Sequence, residues 1–227
     1  MAVAWQATGT LLGSTGADIT PVIPTHAIND ILVLMASSRV ITETLLTPSG
    51  WTLIAGPTNT TSWRTYAFYR RAVSASETNP LCDWSAAVGE KYGVVHNIRG
   101  VISAGDPFAG LVLSAGVADP GFPTGIFVPQ DNMFLGIMGI VADNAASAVT
   151  IAAAGGDPAA FTSRSYTTIT TGADAGQFFS DGIKLTSGLI AGFTSDFNAA
   201  PLAWAILTVV PNPPSTPSGW IGKGGWF

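Results

Sequence analysis

Apolar positions along this chain fall in short runs that either alternate with polar residues or are apolar at every position. None carries a helical period. The clearest runs are Ile31–Ser37, Trp51–Ala55, Trp63–Val73, Leu81–Ser85, Tyr92–Ile102 and Ile126–Pro129. Further on come Met133–Val141, Ala148–Ala153, Phe161–Ile169, Gln177–Leu185, Gly188–Phe193 and Leu202–Val210. Each is bounded by Gly, Pro, Asn or Asp, which is the pattern of strands joined by turns. Ile31–Met35 and Ala203–Val210 are apolar on both faces and read as central strands. In Thr65–Val73, Tyr66, Phe68 and Arg70 share one face while Ala67, Tyr69 and Arg71 share the other, so this strand reads as half-buried.

Turn chemistry fits the intervals. Asn29-Asp30, Pro48-Ser49-Gly50, Gly105-Asp106-Pro107, Asp119-Pro120-Gly121, Gly155-Gly156-Asp157-Pro158 and Asp181-Gly182 are all turn formers. About a dozen strands without helical crossovers predict an all-β fold, an antiparallel β-sandwich or jelly roll. Residues 1–210 read as a single domain. From Pro211 the chain becomes Pro-Asn-Pro-Pro-Ser-Thr-Pro, which favours an extended arm over 211–227. The arm carries Trp220, Ile221, Trp226 and Phe227 among glycines, so these four are the candidate partner-binding residues. Two placements are open for it: docking back on its own body, or anchoring on a partner.

Composition sharpens this picture. Only 10% of residues are charged against 47% hydrophobic, with Lys at 91, 184 and 223 and Glu at 43, 77 and 90 alone. A surface that poor in charge suits a protein covered by neighbours, which predicts a homo-oligomer, a trimer being one form. The net charge of −5 argues against binding nucleic acid, which calls for clustered Lys and Arg. No apolar run approaches the roughly 20 residues of a spanning helix, so a membrane is not expected. The first residues lack the basic start of a signal peptide. A single cysteine, Cys82, leaves no internal disulfide to form.

Catalytic chemistry is sparse. His26 and His96 stand in separate segments without metal-ligand spacing, and His96 alternates with Val94 and Ile98 as an inward-pointing residue would. Ser103 and Ser114 are each followed by Ala-Gly, but Val101 and Val112 occupy the first glycine of a nucleophile elbow. The eleven aspartates stand mostly in turns, and Asp143-Asn144 or Gly172–Asp174 lack the spacing of a calcium loop. The expectation is a protein that is not an enzyme, with no cofactor and no metal. Trp51, Trp63 and Trp84 form the alternative aromatic surface, a stacking platform for a carbohydrate-binding module; core packing is the plainer role for them.

The ordered series Asn29-Asp30-Ile31-Leu32-Val33-Leu34, Pro48-Ser49-Gly50-Trp51-Thr52-Leu53-Ile54 and Phe68-Tyr69-Arg70-Arg71-Ala72 continues with Trp84-Ser85 and Asn97-Ile98-Arg99-Gly100. Over about residues 25–105 it resembles small β-sandwich structural proteins of tailed-phage and prophage virions. The resemblance implies a capsid decoration (cement) protein, or a tail or receptor-binding component. It implies the major capsid protein or another virion protein as partner, and the virion, assembled in the host cytoplasm, as location. It transfers no catalytic residue.

Overall fold

The computed structural model describes residues 2–116, 126–142, 149–153, 161–170, 174–190, 193–197 and 203–214. Among these residues every regular element is a strand. The first sheet uses β1 (Ala4–Thr8), β2 (Leu12–Thr15), β3 (Ile31–Ser38), β4 (Thr52–Asn59), β5 (Arg64–Arg71) and β6 (Glu90–Arg99). Its order is β1-β6-β3-β5-β4, with β2 also on β6. The second sheet uses β7 (Phe108–Gly116), β9 (Met133–Ala142), β11 (Thr162–Ile169), β12 (Ala175–Lys184) and β15 (Ala203–Pro211), in the order β11-β12-β9-β15-β7. Two ribbons complete the numbering: β8 (Phe127–Val128) with β13 (Gly188–Leu189), and β10 (Val149–Ala153) with β14 (Phe193–Phe197). All pairings are antiparallel.

The two sheets pack face to face, as a sandwich requires. Each comes from one half of the chain, so among the described strands none is exchanged between sheets in the manner of a jelly roll. The period-2 rule assigns the layers. Ile31, Val33 and Met35 of β3 point inward, as do Ala203, Ala205, Leu207 and Val209 of β15, and they share one core with Tyr92, Val94, Ile98 and Phe179. Their chain neighbours Leu32, Leu34 and Ala36 face the opposite way, into a second cluster with Trp51, Trp84 and Cys82. Trp204, Ile206 and Val210 face a third cluster with Val128, Ile151 and Phe178.

The central strands of both sheets are thus covered on both faces. Long connections tied by the bridges Ile19↔Cys82 and Leu45↔Trp84 roof the first sheet, and the β8–β13 and β10–β14 ribbons lie on the second. This is why β3 and β15 are buried at every residue. Three apolar clusters absorb much of the hydrophobic composition, each fully buried aliphatic or aromatic side chain stabilising by roughly 1.5–3 kcal/mol. Gly139 shows how tightly the outer layer fits: a Cβ there would lie 2.5 Å from Cε1 of Phe178.

Several local expectations change. Leu81–Ser85 is no strand but two isolated bridge positions, at Cys82 and Trp84. Asp181-Gly182 is not a turn; it lies within β12, paired with Gly136 and Leu135 of β9. The middle of β5 is buried on both faces, not half-buried, because the roofing segments cover Tyr66 and Phe68. The strand β15 runs one residue beyond the boundary expected at 210, with Pro211 opposite Phe108 after a register shift.

Candidate functional site

At one end of the sandwich β3 begins, β6 ends and β15 leaves the second sheet. Asp30, one residue before β3, is the hub there. Asn29 ahead of it has φ of 70°, a left-handed conformation that asparagine tolerates. This turn brings the Ala27 amide to 2.8 Å from Asp30 Oδ2. Arg99, the last residue of β6, donates from Nε to Oδ1 and from Nη2 to Oδ2, both at 2.8 Å. Asn97 Nδ2 adds a donor to Oδ2 at 3.0 Å and also reaches the Thr25 carbonyl at 2.9 Å. The carboxylate is buried, whereas the Arg99 side chain is 35% exposed.

Burial pushes the Asp30 carboxyl up, but the Arg99, Ala27 and Asn97 donors outweigh it and hold the group below its ordinary value. The same contact raises Arg99. Gly100 follows with φ of 78°, and a Cβ there would collide with the Ala2 carbonyl, so only glycine lets β6 leave the sheet at this point.

The root of the arm is fastened at the same end. Asn212 donates its amide to Pro107 O at 2.8 Å, accepts from the Ile102 amide at 2.8 Å, and donates Nδ2 to Asp106 O at 3.0 Å. Arg71 Nη1 in turn reaches Ile102 O at 2.6 Å. Beyond Asn212 the chain parts two concavities. A cavity of about 360 Å³ is lined by Ala27, Ile28, Asp30, Arg99, Val101 and Pro214. On the other side, two smaller hollows of about 290 and 150 Å³ share Val3, Phe134 and Ile183, and Pro211 and Pro213 line the smaller. Arg164 and Asp181, 3.0 Å apart, close the far end.

The expected site residues separate. Trp220, Ile221, Trp226 and Phe227 lie outside the described residues, as do Asp143-Asn144 and Gly172. The alternative aromatic surface is corrected: Trp51, Trp63 and Trp84 are 5%, 0% and 4% exposed and offer no stacking face. Trp63 stacks on Tyr92 with ring centroids 5.4 Å apart in the inner core. Trp51 and Trp84 lie under the roof of the first sheet, and Trp84 meets Tyr66 edge-on at 5.9 Å. The cause is the second apolar face of the first sheet, which an open platform would have left wet.

His96 points inward as its alternation suggests. It is fully buried beside Phe179 at 5.3 Å, with Nδ1 3.0 Å from Thr8 Oγ1, and burial holds its pKa down to about 3. His26 caps a loop, with Nδ1 2.8 Å from Pro24 O and Nε2 accepting from the Glu77 amide at 3.3 Å. Cys82 is buried and its thiol is pushed up to about 12, mainly by burial. Among the described residues no three His, Cys, Asp or Glu side chains gather as a metal site. None of their helices is long and apolar enough to cross a membrane, since none is helical.

Sequence reasoning read Asn29-Asp30 only as a turn and missed its union with Arg99. The two residues flank strands that pair with each other, Ile31 opposite Ile98, and that pairing is visible only in the fold. Against known proteins, no family model, no curated protein and no solved structure matches the chain.

Proposed function

We propose that this chain is a non-enzymatic structural subunit of a phage virion, a capsid decoration protein that straps onto its neighbours through residues 215–227. The observation that carries this is the triply hydrogen-bonded root at Asn212. A tether that is to transmit load needs a rigid origin, and this one is tied to the end of a sandwich whose central strands are covered on both faces. The four large apolar side chains beyond it then act as anchors, while the intervening prolines limit the entropy lost on docking. Exposed apolar side chains such as Leu46, Val73, Leu189 and Phe127, each more than half exposed, support subunit contacts on the body as well. The phage assignment and the major capsid protein as partner rest on the resemblance of residues 25–105.

The test is a truncation after Pro214, which leaves the Asn212 clamp whole. The truncated protein should keep its melting temperature yet fail to co-sediment with particles that bind the full chain. Unimpaired co-sedimentation would remove the strap. Counting copies per particle then separates a shell subunit, present in hundreds, from a tail component, present in a few.

A further inference from the structure

We infer that the cavity at the start of β3 and the end of β6 is a binding site for a small monocarboxylate whose apolar body is about the size of one ring, its carboxylate taken by Arg99. The inference stands apart from the virion reading.

One part of the wall is polar and already organised. It consists of Asn29, Asp30, Arg99 and Gly100. Asp30 accepts hydrogen bonds from Arg99 Nε and Nη2, Asn97 Nδ2 and the Ala27 amide. Burial pushes its carboxyl up, yet these donors hold it below its ordinary value, so it stays ionised at neutral pH. A carboxylate this saturated has little left for a cation. Arg99 is in the opposite state. A guanidinium carries more N–H donors than a side-on carboxylate uses, and only the two facing Asp30 meet an acceptor among the described residues. Side-on pairing turns the Nη1–Nη2 edge away from Asp30, and the side chain is 35% exposed. That edge is a planar fork held in one orientation, the geometry that takes a carboxylate bidentately. Charge selects a monoanion. Asp30 and Arg99 cancel, and among the described residues no other Lys or Arg lines the cavity, so a phosphate dianion lacks a counter-charge here.

The rest of the wall is apolar, from Ala27, Ile28, Val101 and Pro214. Ile28 is 60% exposed, a large aliphatic surface beside a hollow of about 360 Å³. Backbone hydrogen bonds hold the loop that presents it. The Asn29 amide donates to Ala72 O at 2.8 Å, the Ala72 amide to Asp30 O at 2.9 Å, and the Asp30 amide to Ala27 O at 3.1 Å. Both the fork and the apolar wall are therefore in place before a ligand arrives. The volume falls at the low end of small-molecule pockets, roughly 300–1,000 Å³, which suits one ring and its acid group.

The experiment is titration of phenylacetate into the full chain, followed by ligand-observed NMR, with phenylacetamide as the neutral isostere. Phenylacetate should bind with a Kd of about 1 mM or tighter, and phenylacetamide about tenfold more weakly, the factor that charge-assisted hydrogen bonds carry. Arg99→Gln should lose about the same factor. That variant also strips Asp30 of its main partner, so Ile28→Asp supplies a second reading. Ile28 is exposed; the melting temperature should hold while phenylacetate binding falls about tenfold. Val88→Asp, exposed just before the opposite end of β6, should bind as the wild type does. Equal Kd values for acid and amide, Ile28→Asp binding like the wild type, or no saturable binding up to about 10 mM would each overturn the inference. So would tighter binding of acetyl-Gly-Gly-Leu with a free C-terminus, which would give the pocket to a protein terminus and not to a free acid.

Discussion

Lys91 Nζ lies 3.3 Å from Glu43 Oε1, with both side chains sealed from solvent. The ammonium also donates to Ala86 O at 2.7 Å and Val88 O at 3.2 Å, and Glu43 Oε2 accepts from Ser38 Oγ at 2.6 Å. One buried pair thereby ties the Ala86–Val88 loop and the segment after β3 to the sheet. In a chain with only three lysines and three glutamates, one of each is spent in this place.

Removing one member leaves an uncompensated charge in the interior. Lys91→Met should cost about 3–5 kcal/mol by urea denaturation. The double variant Lys91→Met, Glu43→Leu should recover a large part of that loss. If the double variant is as unstable as the sum of the two singles, the pair is not coupled and the loop is held by packing alone.

His96 gives the protein a pH dependence of known sign. Its folded pKa, about 3, lies below the ordinary 6.5 because burial penalises the charged ring. The unfolded chain therefore takes up a proton that the folded one refuses, and stability falls as pH drops below 6.5. The slope is about 1.4 kcal/mol per pH unit, or about 3 kcal/mol by pH 4. Asp30 and Glu77, both held below their ordinary values, retain their contribution above those values and lose it only as pH falls further. Urea titrations at pH 7, 5.5 and 4 should show the loss in the wild type and little of it in His96→Leu.

The sequence exposed the central strands and hid the covering layers, for physical reasons. β3 and β15 are apolar at successive positions because both of their faces are buried, and such a run is hard to mistake. β7 was missed because Gly110 and Gly116 interrupt it, yet Gly116 is required there: a Cβ would press on the Trp204 ring. β1 was missed because Gln6 and Thr8 break an edge strand that also carries a bulge between Trp5 and Ala7. The tryptophans of the roof looked like a surface because the roof has almost no regular structure and so no period. The Asp30–Arg99 pair spans 69 residues, a separation that no local pattern encodes.

Cys82 reports on the roof of the first sheet. Its thiol is fully buried, and at a pKa of about 12 it carries almost no thiolate at neutral pH. Native protein should resist maleimide for hours, whereas protein in denaturing urea should label within minutes. Labelling in native buffer at a rate independent of global stability would mean that the roof opens on its own.

Trp63 distinguishes the core from a ligand platform. Its indole is fully buried against Tyr92, so Trp63→Ala should cost about 3–5 kcal/mol through the cavity it leaves. The sugar-platform reading requires instead that stability hold and that glycan-dependent quenching of tryptophan emission disappear. Thermal melts of wild type and variant, together with titration of soluble glycans into wild type, decide between the two. The expected result is a large loss of stability and no glycan-dependent quenching. A stable Trp63→Ala protein that loses a glycan response present in the wild type would show that this ring reaches solvent in the working molecule.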